Sequence, residues 1–348
     1  MTETLAPPTE LEDAPNRRRS LLVLGMAVCV AALLVVVVLS IGVGARNLSP
    51  ATVWAALVGG GDGEADLIVR HLRVPRTFAG LLVGAALGLA GALMQALTRN
   101  PLADPGLLGV EAGASAAIVC GIAYAGVSEP NGYVWFALLG AGAATVVVYL
   151  LGSTGRRAAS PVRLVLAGAA ISAVLTGLTS AVVLSNSIAF RGFRAWSVGS
   201  LEGVTADTVW QVLPFFVVGF VLALALGPAL NAIALGDHLA AALGAKVTRT
   251  RVVGILATTL LCGAATAVSG PVAFIGLLVP HAVRPFTGPD NRWLLPFSMV
   301  AGAILVLGSD VLGRLLLWPS ELEVSVVTVV IGAPVFILIV RRRRLAQL

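Results

Sequence analysis

Unbroken apolar runs, each near or above the ~20 residues that a helix needs to cross a bilayer, recur along this chain and close off most folds. They fall at about 21–43, 77–98, 105–126, 133–152, 164–185, 208–230, 252–270, 272–288, 293–314 and 324–340, the eighth being the shortest. Ten such runs predict an all-α membrane protein, a bundle of ten transmembrane helices. A soluble chain would carry ~25% charged residues; this one of 348 residues carries 11%, with 58% hydrophobic. An outer-membrane barrel is excluded as well, because its strands alternate apolar and polar residues. The 39 glycines fit helices that associate in lipid, where small residues allow close backbone approach.

The first twenty residues, MTETLAPPTELEDAPNRRRS, are too charged for a signal peptide and read as a disordered cytoplasmic tail. Residues 21–340 read as the membrane domain and 341–348 as a basic cytoplasmic tail. Ten spans put both termini on one side. That side carries Arg17, Arg18, Arg19, Arg99, Arg156, Arg157, Arg163, Lys246, Arg249, Arg251, Arg284, Arg292 and Arg341 to Arg344, sixteen of the 23 basic residues; Arg46, Arg70, Arg73, Arg76, Arg191, Arg194 and Arg314 lie opposite. By the positive-inside rule both termini are cytoplasmic. The net charge of +6 therefore speaks of orientation and not of nucleic acid. NPLADPGLLG (100–109) and GPVAFIGLLV (270–279) share five of ten positions at an offset of 170 residues. The copies begin five spans apart, an odd number, so the second would be inverted relative to the first, as in many transporters.

Nothing in the sequence suggests catalysis by this chain. His71, His238 and His281 are scattered, and neither HExxH, GxSxG nor GxxxxGK[ST] occurs. Cys29, Cys120 and Cys262 stand singly in apolar runs, which suits small lipid- or helix-facing residues better than a metal site; no cofactor or metal is expected in the chain. His281 reads as a structural histidine. Glu111 and Asp310 are the main acids inside spans, too few to favour ion coupling, and Asp310 has Arg314 four residues on. Ser172, Thr176, Thr179 and Ser180 recur at helical spacing in the fifth span and are candidates to line a pathway, helix packing being their alternative. LGDHLAAALGAKVTRTR (235–251) predicts a short cytoplasmic helix over 236–245, with Asp237 as N-cap and Gly244 as a left-handed C-cap. Such a knob would suit a soluble partner, which an ATP-driven protein without a phosphate loop needs.

RVPRTFAGLLVGAALGLAGALMQALTRNPLADPGLLGVEAGAS (73–115), AWSVGSLEG (195–203), LGDHLAAALGAKV (235–247), GPVAFIGLLVPHAVRPFTGPDNRWLLP (270–296) and ELEVSVVTVVIGAPVFILIV (321–340), in that order, closely resemble the permease subunits of iron-siderophore, haem and cobalamin ABC importers, the FecCD family. The resemblance spans about residues 20–343. It implies a ten-helix permease in the inner membrane of a prokaryote, working as a dimer of permeases with two cytoplasmic ATPases, which bind ATP and Mg, and an extracytoplasmic substrate-binding protein. A ferric siderophore is the leading cargo, with cobalamin or haem as the alternative and an ion-coupled secondary transporter further off. Residue by residue, Arg73, Arg76 and Arg314 match arginines that dock the binding protein. Asp237, His238, Leu239, Ala240, Ala241, Leu243 and Gly244 match the coupling helix that meets the ATPase, and Ser160, Pro161 and Val162 match the cytoplasmic gate. The chain departs from the family at Pro161 and Val162, where small hydroxyl residues are frequent, and at Glu323-Val324-Ser325, where Pro-Ile-Gly is commoner.

The orientation is testable by single cysteines in a cysteine-free background. A membrane-impermeant thiol reagent added outside intact cells is expected to label a cysteine at Arg191 and to spare one at Arg249, the reverse pattern overturning the topology.

Overall fold

The computed structural model describes residues 9–44, 46, 48–60, 63–127, 130–153, 161–317 and 320–342. These form fifteen α-helices: α1 (Thr9–Gly42), α2 (Pro50–Val58), α3 (Gly63–Asp66), α4 (Val74–Thr98), α5 (Val110–Tyr124), α6 (Pro130–Ser153), α7 (Pro161–Ser185), α8 (Ser187–Ser197), α9 (Ala206–Ala225), α10 (Gly227–Ala234), α11 (Asp237–Ala242), α12 (Val247–Ser269), α13 (Ile275–Thr287), α14 (Asn291–Leu316) and α15 (Val324–Arg342). A π-helical stretch, Leu67–Arg73, joins α3 to α4 without a break, and a 3₁₀ turn, Pro105–Leu108, precedes α5. No strand occurs among the described residues.

Among the described residues, seven helical segments are long and apolar enough to cross a membrane, including Gly63–Thr98, α6, α7, α9, α12 and α14. The other three expected spans hold the shorter helices α5, α13 and α15, of 15, 13 and 19 residues. The third and eighth are short because their N-terminal portions are not α-helical. Asp104 accepts a hydrogen bond from the Gly106 amide at 2.8 Å and sets the 3₁₀ turn. Gly270 and Phe274, at φ 69°, turn the chain before α13. The sixth expected span breaks at Gly227-Pro228, between α9 and α10. At the N-terminus α1 begins at Thr9, so the stretch expected to be disordered is helical over its described part.

The fold is organised around α4, nearly all of whose residues from Ala79 to Leu97 are buried. α4 packs on α14, α13, α12 and α9. Its contact with α14 is backbone to backbone: a Cβ added at Gly84 would lie 2.7 Å from the Ala303 Cα, and one at Gly88 3.1 Å from the Gly302 Cα. At Gly91 a Cβ would overlap the Gly276 carbonyl at the start of α13. Glycines at i, i+4 and i+7 thus give one face of α4 no side chains, which is how membrane helices gain dispersion contact without hydrophobic drive. The pairings are matched in two sets. α4 packs on α13 and α14 while α12 packs on α5 and α6; α5, α6 and α7 pack on one another, as do α13, α14 and α15.

Gly84→Ala is expected to lower stability by about 1–3 kcal/mol, the usual cost of overpacking, measured by thermal unfolding in detergent. Gly142→Ala is the control, since nothing lies within 4 Å of its added Cβ and its melting temperature should not fall.

Candidate functional site

Charge gathers at two ends of the bundle. At one end, the C-terminal carbonyls of α1 have no basic residue of their own helix in the last turn, and helix C-termini attract cations. Two arginines from elsewhere supply them. Arg73 donates from one nitrogen to the carbonyls of Ile41 and Gly42 at 3.0 and 2.7 Å and from another to that of Arg46. Arg314 donates to the carbonyls of Ser40 and Val43 at 2.9 and 2.7 Å and to the Ser40 hydroxyl at 3.0 Å. Arg314 also pairs with Asp310, one turn back on α14, as their spacing predicts. Asp310 in turn accepts from Arg76 at 2.7 and 3.1 Å, and Arg76 reaches Glu321 at 2.6 Å.

Arg73, Arg76 and Arg314 therefore do come together, lining with Arg46, His71, Glu202 and Glu321 a cavity of about 460 Å³. They are not free surface cations. Arg73 and Arg314 are 5% and 2% exposed; Arg73 donates to backbone carbonyls, and Arg314 to backbone carbonyls, the Ser40 hydroxyl and Asp310. Arg76 is the most exposed of the three, with 12% of its side chain accessible, and both of its partners are carboxylates. The sequence spacing showed Asp310–Arg314 but not Arg76–Asp310–Glu321, whose partners lie 234 and 245 residues apart.

At the opposite end stands α11, six residues long. Gly244 ends it at φ 85° in a Schellman arrangement: its amide donates to Ala241 at 3.0 Å and the Ala245 amide to Ala240 at 2.9 Å. Asp237 is not the N-cap; that position is Gly236, at φ 103°, and no side chain caps the helix. The Asp237 carboxylate instead accepts from Arg251 at 2.9 and 3.0 Å and pairs with Arg99 at 3.3 Å. Leu239 and Leu243 stand out of the molecule, 51% and 64% exposed, while Ala240 is fully buried. His238 and Ala241 are exposed too. Arg99, Arg251 and Lys246 were all expected on the side of the termini, and the Arg18 guanidinium lies beside Gly288 at that same end.

The remaining candidates are dispersed. Ser160 lies outside the described residues; Pro161 opens α7 and Val162 is exposed. Thr176 and Ser180 share an exposed face of α7, Ser172 is half-buried, and Thr179 is buried with no partner for its hydroxyl. His281 donates to the Pro101 carbonyl at 2.7 Å, the structural role its setting suggests. Sequence reasoning missed the cavity of about 260 Å³ lined by Asp104, Glu111 and Cys262; the signal was Glu111, an acid within an apolar run six residues after NPLADP. No group of three His, Cys, Asp or Glu among the described residues could hold a metal.

Residues 32–342 match the model of the FecCD transport family. The chain is 49% identical to the ferric enterobactin transport system permease protein FepD of Escherichia coli (strain K12), over 89% of this chain and 93% of that one. It is 38% identical to the probable siderophore transport system permease protein YfiZ of Bacillus subtilis (strain 168), over 89% and 93%. Other relatives are named for import of Fe(3+)-citrate, iron(3+)-hydroxamate and vitamin B12. Among solved structures, an ABC transporter assigned to the metal-chelate type, in an inward-facing conformation, superposes with a TM-score of 0.81 at 26% identity, covering 91% of this chain and 99% of that one.

Asp310→Ala is expected to destabilise the chain by about 3–5 kcal/mol, because it strands the buried Arg76 and Arg314 guanidinium groups. Denaturant unfolding in detergent measures it, and a double-mutant cycle with Arg314→Met should show non-additivity.

Proposed function

The chain belongs to the FecCD transport family, and we propose that it carries a ferric siderophore across the inner membrane of a prokaryote as one of two permease chains in an ATP-driven ABC importer. Cobalamin or haem is the alternative cargo. ATP and Mg are bound by two separate ATPase subunits, and this chain needs no cofactor of its own. The observation that carries the reading is α11. A six-residue helix that, with its C-cap Leu243, puts two leucines outward while burying one alanine is too short to be stable by itself, and its apolar side calls for a soluble partner, the role of a coupling helix. The identity of 49% to a ferric enterobactin permease supports the cargo.

The ten-span topology is supported by the coincidence of seven long and three shorter helices with the ten apolar runs, and the inverted repeat by the matched pairings of α4–α7 and α12–α15. Both termini are cytoplasmic in this reading, on the side of α11. The binding protein docks at the opposite end, on the rim of the arginine-lined cavity. There Arg76 can exchange Glu321 for a carboxylate of the partner while Arg73 and Arg314 hold the end of α1 in place. Several such pairs orient a partner more than they hold it, each being worth ~0–1 kcal/mol at a surface. The exposed Thr176–Ser180 face of α7 lines the pathway at the interface between the two permease chains, where polar side chains avoid lipid. Ser160, Pro161 and Val162, before and at the start of α7, form the cytoplasmic gate.

Proteoliposomes holding the complete importer and its loaded binding protein test this with radio-iron in ferric enterobactin, ferric citrate and a ferric hydroxamate, beside labelled cobalamin and haem. ATP-dependent uptake of a ferric siderophore is expected, ferric enterobactin foremost; uptake confined to cobalamin or haem overturns the cargo, and uptake independent of ATP overturns the importer. Leu239→Glu with Leu243→Glu should cut ATPase retention and uptake at least about tenfold, the effect of ~1.4 kcal/mol.

A further inference from the structure

We propose that Asp237, Arg99 and Arg251 form an ion fork that locks α11 to α4 and α12, so that a displacement of α11 moves both membrane helices instead of swinging a hinged flap; the inference rests on α11 being the ATPase contact. The first observation is that α11 is hinged on both sides. Gly236 and Gly244 flank it at φ 103° and 85°, and its buried contact is a single alanine, Ala240. Nothing apolar fastens it firmly to the bundle.

The second is where the Asp237 carboxylate goes. An aspartate at the start of a helix ordinarily accepts from free amides, yet this one caps nothing. Both of its oxygens meet Arg251, in the second turn of α12, and one also meets Arg99. Arg251 keeps only 12% of its side chain exposed, so its charge is held between the helices and not spread into solvent.

The third concerns Arg99 itself. It ends α4 in the left-handed region, at φ 51°, and its amide closes onto the carbonyls of Gln95 and Ala96. Glycine is the residue suited to that position, since a Cβ there is strained. An arginine at such a site sacrifices local stability, and what its side chain does in return is reach Asp237. Arg99 also leads directly into the 100–109 turn, whose Pro101 carbonyl holds His281 of α13. Through the fork, α11 is thus tied to the central helix, to α12, and to the turn that meets α13.

Three variants of the complete importer in proteoliposomes test this: Arg99→Gly, Asp237→Asn and the exchange Asp237→Arg with Arg251→Asp. The readout is ferric enterobactin taken up per ATP hydrolysed. For Arg99→Gly this ratio is expected to fall about fivefold, the lower range of measured coupling between sites, while the melting temperature stays level or rises because the left-handed strain is relieved. Asp237→Asn should lower the ratio likewise, and the charge exchange should restore part of it. An unchanged ratio in Arg99→Gly and Asp237→Asn overturns the fork. So does a fall in uptake and hydrolysis in proportion with a lowered melting temperature, which marks a purely structural role. If the Leu239→Glu, Leu243→Glu chain still retains a fully active ATPase, it is the reading of α11 as the ATPase contact that fails.

Discussion

Backbone contact between α4 and α14 is the constraint on which the rest depends. In lipid, helices gain nothing from hiding apolar side chains from one another, so close approach must come from dispersion and from the removal of side chains between them. Gly84 and Gly88 meet Gly302 and Ser298 across this seam, and Gly91 continues it onto Gly276. Once the seam is closed, α4 has little room to tilt against α14 without opening voids, which are costly in close-packed interiors. The central helix consequently behaves as a stiff strut from the arginine network at one end to α11 at the other.

Polar groups are concentrated where that strut ends. At the α1 end, Arg73 and Arg314 satisfy five backbone carbonyls between them, so two charges that would be expensive near the membrane are neutralised by a helix terminus and by Asp310. Arg76 sits one turn of α4 further in and shares Asp310 with Arg314, which makes the network one unit: disturbing Glu321 or Arg76 alters the charge around the groups holding α1. In the last turn of α4 the cross-links are longer and centre on one neutral amide. Gln95 donates to the Gly276 and Leu277 carbonyls at 3.4 and 3.3 Å and accepts from Arg284, fixing the register between α4 and α13.

Much of this was legible in the chain because hydropathy is a local property. The apolar runs that form the long helices, the left-handed Gly244 and the Asp310–Arg314 pair all follow from short windows of sequence. What was not legible depended on distant partners. α2 escaped notice because nine residues capped by Ser49 and opened by Pro50 leave no span-length signal. Arg73 and Arg314 read as outward-facing cations, since the α1 carbonyls that bury them lie about 30 and 270 residues away. Asp237 read as an N-cap because composition could not show that Arg251 and Arg99 compete for its carboxylate. Ser160 falls outside the described residues, so its place at a gate rests on the family pattern.

The two ends differ in a way that bears on how such a chain can move. The arginine network at the α1 end is nearly dry: Arg314 and Asp310 are 2% and 1% exposed, and buried pairs of this kind cannot part without leaving an unpaired charge. The fork at α11 is wet on the side of Asp237, 40% exposed, so water can replace a lost partner and salt can screen it. The α11 end, its carboxylate solvated, can therefore shift together with α4 and α12 at little electrostatic cost, and the α1 end acts as the fixed support. That asymmetry suits the proposed assembly, in which α11 follows the ATPases and the α1 end offers a constant surface to a docking protein.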